Sequence, residues 1–289
     1  MNAVDVSAVR LLGGERVEQI VDLTTGQHGV ARVNDRYLVK KCASRDALER
    51  EVVGLYLFGR LSNAVPHLVT QGADFVVTEC LPQAMTASVA IERGIVDKAQ
   101  VEAFIATFLA KVYWKYQRRV DNLALFPLLS WTHRLRLLGQ RVLEYKPLLE
   151  NYVGARVVAA LIEGVKNALL ATTAAPLTFL HRDIHLDNVL VSLSQGYPRM
   201  MLIDVEHCQE GPLELEVQNA LFWDDEKSLE VAALRRLLRD TFCIPYSLDR
   251  EKELMAVYVV DQLCLASEVG NEEKLVMLAK RIEVLYKHV

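Results

Sequence analysis

Apolar and polar positions alternate in short bursts over the first eighty residues and then settle into a three-to-four-residue rhythm. Within 17–41, V-E-Q-I-V-D-L, V-A-R-V and Y-L-V-K-K read as strands, and Val30, Val33 and Val39 flank an Asn34-Asp35 turn suited to a hairpin. From Ser44, Leu48, Val52, Leu55 and Leu57 or Phe58 recur at helical spacing, with Ser44 as N-cap and Gly59 as the expected end. F-V-V-T-E at 75–79 reads as a further strand, closed by Leu81-Pro82. The pattern predicts a small β-rich lobe over residues 1–80, carrying one amphipathic helix.

From about 97 to 175 the rhythm is helical, in three segments punctuated by Pro127, Pro147 and Pro176. Their aromatics, Trp114, Tyr116, Trp131 and Tyr145, fit packing roles. Beyond residue 212 the pattern is helical again, and no internal repeat or low-complexity stretch interrupts it. The expected class is α+β: a small lobe at 1–80 and a larger, mostly helical lobe at 81–289 with an insert of helices near 97–175.

Composition adds limits. The net charge of −4 supplies no global reason to bind nucleic acid. Charge is uneven, because residues 182–289 hold 20 acids against 12 bases, which suits a metal and a cationic substrate better than a polyanion. Cys42, Cys80, Cys208, Cys243 and Cys264 are widely spaced, without the clustering of a zinc site, and look like buried thiols of a reducing compartment. The N-terminus lacks a signal-peptide pattern and no apolar run has the length of a membrane span, so a cytoplasmic protein without membrane partners is expected, as a monomer or homodimer.

The chemistry concentrates in F-L-H-R-D-I-H-L-D-N-V-L-V at 179–191 and M-L-I-D-V-E at 201–206. A polar loop between apolar runs presents His181, Asp183 and Asn188, and a second apolar run delivers Asp204 and Glu206. Phosphoryl transfer needs such groups together: a carboxylate to receive a hydroxyl proton, and oxygen ligands to hold Mg2+ against nucleotide phosphates. Asp183 is the candidate base, Asn188 and Asp204 are candidate Mg2+ ligands with Glu206 as a further one, and His181 is a candidate loop brace.

H-x-D-x-x-x-x-N followed by I-D-x-E resembles the catalytic and metal-binding core of the aminoglycoside phosphotransferase and choline kinase-like family, relatives of the protein kinases. That family usually has H-G-D-x-H-x-x-N; His185 matches the second His, while Arg182 replaces Gly. The resemblance implies a bilobal protein-kinase-like fold and places further parts in order. Lys40, or Lys41 in the other register, would meet the phosphates, paired with Glu51 or Glu49 of the following helix. Gly26 and Gly29 of T-T-G-Q-H-G would cover the phosphates, although the stretch is not G-x-G-x-x-G, and backbone groups at Glu79 and Leu81 would hold the adenine. Glu216 stands where the family has an Asp that braces the catalytic loop.

Between Glu79 and His181 lie 101 residues, more than a protein kinase needs, and no D-F-G, A-P-E or activation segment follows Asp204. Both features favour a small-molecule hydroxyl acceptor with ATP or GTP as donor. Glu210, Glu214, Asp224 and Asp225 are candidate contacts for a cationic acceptor such as an aminoglycoside, a peptide antibiotic or a choline-like amine. His-Arg-Asp at 181–183 keeps an atypical protein kinase as an alternative, and the weak glycine loop keeps a nucleotide-binding pseudokinase scaffold.

Overall fold

Asn34 and Asp35 both take left-handed backbone, with φ of 51° and 52°, and Arg36 N closes the tight turn on the Val33 carbonyl at 3.1 Å. The turn joins β2 (Val30–Val33) to β3 (Tyr37–Lys41), which pair antiparallel. β1 (Ile20–Asp22), β4 (Leu68–Gln71) and β5 (Phe75–Glu79) complete a five-stranded sheet in the order β1-β2-β3-β5-β4. The computed structural model describes residues 17–23, 29–118, 130–171, 175–194, 196–221, 229–268 and 270–285.

Helix α1 (Arg45–Ser62) starts where expected: the Ser44 hydroxyl accepts a hydrogen bond from Ala47 N at 3.1 Å. It runs past Gly59 and stops at Asn63, which takes φ 57° and closes the last turn. Its two halves bury different faces. Leu48 joins Cys42 and Val76 under the sheet, whereas Val53, Leu55, Phe58 and Leu61 enter the large core of the helical lobe. A separate small cluster, Ala31, Val33, Val39 and Val77, with Val17, Tyr37, Val69 and Phe75 packed against it, lies on the sheet's other face.

After β5 the chain forms β6 (Met85–Thr86), α2 (Ala87–Glu92) and α3 (Lys98–Gln117), the last opened by an Asp97–Gln100 capping box. The insert then continues as α4 (Trp131–Glu144), α5 (Lys146–Val153) and α6 (Ala155–Ala171). The pattern near 131–175 read as two helices; there are three, because Pro147 sits in the first turn of α5 and starts a helix instead of separating two others.

β7 (Leu177–Leu180) pairs with β10 (Gln209–Pro212), and β8 (Val189–Ser194) forms a hairpin with β9 (Tyr197–Leu202), to which β6 adds a third strand. Gly196, at φ 82°, supplies the turn, and Tyr197-Pro198 already belongs to β9. The chain ends in α7 (Glu214–Leu221), α8 (Val231–Arg236) with a π-helical continuation through Thr241, α9 (Leu248–Glu268) and α10 (Glu272–Leu285). α9 packs on α4, α6, α7 and α10 and so forms the lobe's spine. Among the described residues no helix is long and apolar enough to cross a membrane. Cys42, Cys208 and Cys264 are buried as expected, whereas Cys243 is exposed and Cys80 half-exposed, so that expectation is corrected for these two.

Candidate active site

β7 ends at Leu180 and β8 begins at Val189, so the loop carrying His181, Asp183 and Asn188 is clamped at both ends by strands. A short 3-10 turn, Leu186–Asn188, capped by His185, fixes the second half of the loop. Asn188 Nδ2 donates to both the carbonyl and Oδ2 of Asp183, each at 2.9 Å. With the nitrogen thus directed, the amide oxygen of Asn188 points away from Asp183 as an acceptor. His185 Nε2 lies 3.8 Å from the same Asp183 oxygen.

His181 is fully buried, and desolvation holds its imidazole down at about 4, so the ring is neutral near pH 7. Its Nε2 meets the Ile203 carbonyl at 3.0 Å, which ties the loop to the residue before Asp204. Burial, and then the neighbouring Asp204 charge, push the Asp183 carboxyl up to about 7 against the Asn188 hydrogen bond. A carboxylate poised there can take up a proton at neutral pH.

Arg182, where the resembled family has Gly, takes φ 72°. A non-glycine residue in that conformation costs about 1–2 kcal/mol. Its backbone N–H donates to Glu216 Oε1 at 2.9 Å, and His181 N donates to Glu216 Oε2 at 2.6 Å. Glu216 of α7, fully enclosed, is thus the brace in the position where Asp is more usual; the longer side chain reaches the same two amides.

β9 ends at Leu202, and Asp204 follows in left-handed backbone at φ 63°. Strand alternation therefore does not govern Asp204 and Glu206, yet both turn to one ammonium. Lys40 Nζ of β3 lies 2.5 Å from Asp204 Oδ1, 3.1 Å from Glu51 Oε2 and 3.2 Å from Glu206 Oε2. Burial would lower the Lys40 pKa, but the three carboxylates outweigh it and raise it above the ordinary value. Burial pushes Glu51 up to about 7 in spite of Lys40. Lys41 turns away to Asp74 at 3.5 Å, so the cleft-facing register belongs to Lys40, and its helix partner is Glu51.

Glu51, Asp204 and Glu206 present oxygens within 4.8 Å of one another, against a single ammonium. Three hard oxygen donors around a surplus of negative charge fit a divalent cation such as Mg2+. The chemistry of this donor set therefore suits the metal expected from the sequence.

Several expected contacts lie elsewhere. Glu210 accepts from Tyr116 Oη at 2.7 Å and Trp131 N at 3.1 Å; it joins β10 to α3 and α4. Glu214 accepts from Ser247 N and Arg250 Nη1, both at 2.9 Å, and is buried. Both Glu210 oxygens and Glu214 Oε1 thus accept hydrogen bonds from within the lobe. Gly26, Asp224 and Asp225 lie outside the described residues. Gly29 precedes β2, and its carbonyl accepts from Lys41 N at 2.8 Å. At the strand-to-lobe connection, Glu79 N donates to His67 O at 3.0 Å and Leu81 O accepts from Ala84 N at 3.3 Å.

The family model "Phosphotransferase enzyme family" matches residues 30–242. No curated protein sequence matches the chain. Among solved structures, the aminoglycoside phosphotransferase APH(2″)-IIa with streptomycin and ATP superposes with a TM-score of 0.65 at 16% identity, over 92% of this chain and 91% of the other. APH(4)-Ia with AMP-PNP and hygromycin B gives 0.64 at 16% identity, over 94% of each chain. A choline/ethanolamine kinase family protein from Mesorhizobium loti gives 0.63 at 16% identity, over 96% and 92%. At such identities the likeness is one of fold, and that fold is the bilobal, protein-kinase-like one.

Proposed function

The chain belongs to the phosphotransferase enzyme family, and from that premise we propose that it is a small-molecule kinase. It moves the γ-phosphoryl group of ATP or GTP to a hydroxyl of a small acceptor in the cytoplasm. The acceptor is an antibiotic of the aminoglycoside or peptide type, or a small hydroxylated metabolite. The observation that carries this reading is the contact of Lys40 with both Glu51 and Asp204, partners 11 and 164 residues away in sequence. Such company suits a phosphate-binding cleft, in which the ammonium holds nucleotide phosphates and is itself aimed by the helix glutamate.

Asn188 and Asp204, with Glu206 as a further ligand, would hold Mg2+. The ion, when bound, neutralises charge on the phosphates and on the group in transfer. Asp183 accepts the proton of the acceptor hydroxyl as its oxygen forms the new bond to phosphorus and the bond to the nucleotide's β-γ bridging oxygen breaks. Asn188 fixes the rotamer of Asp183, and neutral His181 keeps the two catalytic segments in register. The helices α3 to α6 and the segment after Glu206 supply the acceptor walls. Asp224 and Asp225 remain the candidates for contact with a cationic acceptor.

Nucleotide consumption measured over aminoglycosides, peptide and nucleoside antibiotics, amino alcohols and sugars identifies the acceptor. Asp183→Asn should abolish transfer to it while Mg2+-dependent stabilisation by nucleotide persists. Full transfer by a folded Asp183→Asn protein would remove Asp183 from the mechanism.

A further inference from the structure

Arg182 is the place where this chain departs from H-G-D, and it is held on every side. Its backbone N–H is bound by Glu216 of α7. Its side chain is 4% exposed, and Nη2 lies 2.8 Å from Asp261 Oδ2, with Nη1 3.3 Å from the Leu215 carbonyl. The guanidinium also sits 5.7 Å from the centre of the Tyr258 ring. Tyr258 and Asp261 are three residues apart on α9 and so present one face of that helix to the loop. The other oxygen of Asp261 binds Arg134 of α4. One buried carboxylate thus takes two arginines, and the pair joins the catalytic loop to the helical insert.

Glycine would adopt φ 72° without support. Arginine needs something to hold it there, and the fixed guanidinium does that. Relaxation of this residue to negative φ would rotate the next one, Asp183, and with it the Asn188 amide that Asp183 engages.

We infer that Asp261, through Arg182, is a positioning residue: it sets the conformation of the loop that carries Asp183 and Asn188, replacing in this chain what a glycine at 182 would supply. Its link to phosphoryl transfer rests on the kinase reading above; its link to the loop does not. Arg134 keeps Asp261 ionised and oriented, so that the helical insert and the catalytic loop share one anchor.

The test compares Asp261→Asn, Arg182→Gly and the double variant in the full chain. Two readouts serve: hydrogen exchange in segment 181–188 without nucleotide, and the gain in ATP affinity on adding Mg2+. Asp261→Asn should speed exchange in that segment by about tenfold or more relative to the rest of the lobe. It should also remove most of the Mg2+-dependent gain while leaving metal-free ATP affinity unchanged. Arg182→Gly should retain both properties, and the double variant should behave like Arg182→Gly, a rescue that mere loss of packing would not give. Where Asp261→Asn does not fold, Arg134→Gln, which loosens the same carboxylate, should show a weaker version of its effects. Unchanged exchange in Asp261→Asn, or a double variant as impaired as Asp261→Asn, overturns the inference. Absence of any Mg2+-dependent gain in the wild type overturns the kinase reading, while the exchange comparison still decides the role of Asp261.

Discussion

The Phe58 ring stacks on the imidazole of His181, with centres 6.0 Å apart and planes inclined by 29°. The helix that supplies Glu51 is thereby in direct contact with the loop that supplies Asp183. Phe58 also meets Phe108 of α3 at 5.2 Å and Phe179 of β7 at 4.8 Å. Phe58→Ala should cost about 3–5 kcal/mol, the usual range for a buried phenylalanine. Urea unfolding measures that loss. Phe58→Leu, which fills more of the space, should be milder in stability but should still weaken Mg2+-dependent nucleotide binding.

Asp183 gives a pH dependence with a definite sign. Burial, with Asp204 beside it, raises its carboxyl from 3.8 to about 7. The folded protein therefore keeps a proton that the unfolded chain releases between those values, and folding stability from this group falls as pH rises through the window. Asp183→Asn, which has no proton to lose, should melt higher than wild type, by a margin that grows from about pH 4 to 7. Wild-type transfer at limiting substrate should climb across the upper part of the same window, as the base form appears, and Mg2+ at the neighbouring carboxylates should move that rise to lower pH. Equal melting temperatures at pH 5 and pH 8 would contradict the assignment.

Removing the ammonium tests the carboxylate cluster. Lys40→Met leaves Glu51, Asp204 and Glu206 without their common partner. An uncompensated buried charge costs about 3–5 kcal/mol, so the variant should be destabilised at neutral pH. Millimolar Mg2+ should restore more stability to Lys40→Met than it adds to wild type, and acidification to about pH 5 should do the same by protonating Glu51, whose carboxyl burial holds at about 7. Thermal melts with and without Mg2+ at the two pH values decide this.

Glu216 offers a test that involves no nucleotide contact. Glu216→Ala strands the amides of His181 and Arg182, and each buried unsatisfied donor costs about 1–3 kcal/mol. The expected result is a lower urea midpoint together with lost transfer. Glu216→Asp, the residue more usual at this point, should recover part of both, limited by its shorter reach.

Much of the fold was legible because its signals are local. The Asn34-Asp35 turn, the Ser44 cap and the β-rich run F-V-V-T-E each depend on a few neighbouring residues, and each lies where the pattern placed it. β4 escaped because Leu68–Gln71 has no alternation of its own and is defined by its pairing with β5. In the site, Lys40, Glu51 and Asp204 converge as their order along the chain implied. The internal hydrogen bonds of Glu210 and Glu214 were not legible, because acidic residues near a cleft look alike in sequence whether they face solvent or accept such bonds. Asp261 gave no signal at all: a single Asp in an apolar helix acquires meaning only when the fold brings Arg134 and Arg182 to it.

Gly54, in the middle of α1, leaves no room for a side chain: a Cβ there would lie 2.7 Å from Val205 Cγ2 and 3.0 Å from Cys208 Sγ. The backbone of α1 thus rests directly on the residue that follows Asp204. In regulated kinases the corresponding helix swings to separate lysine from glutamate, and that swing is the on–off lever. Here the helix is bolted to the lower lobe at Gly54 and Phe58, while only its first half leans on the sheet. Any movement that parted Glu51 from Lys40 would therefore have to lift the α1 backbone off Val205 and Cys208 as well.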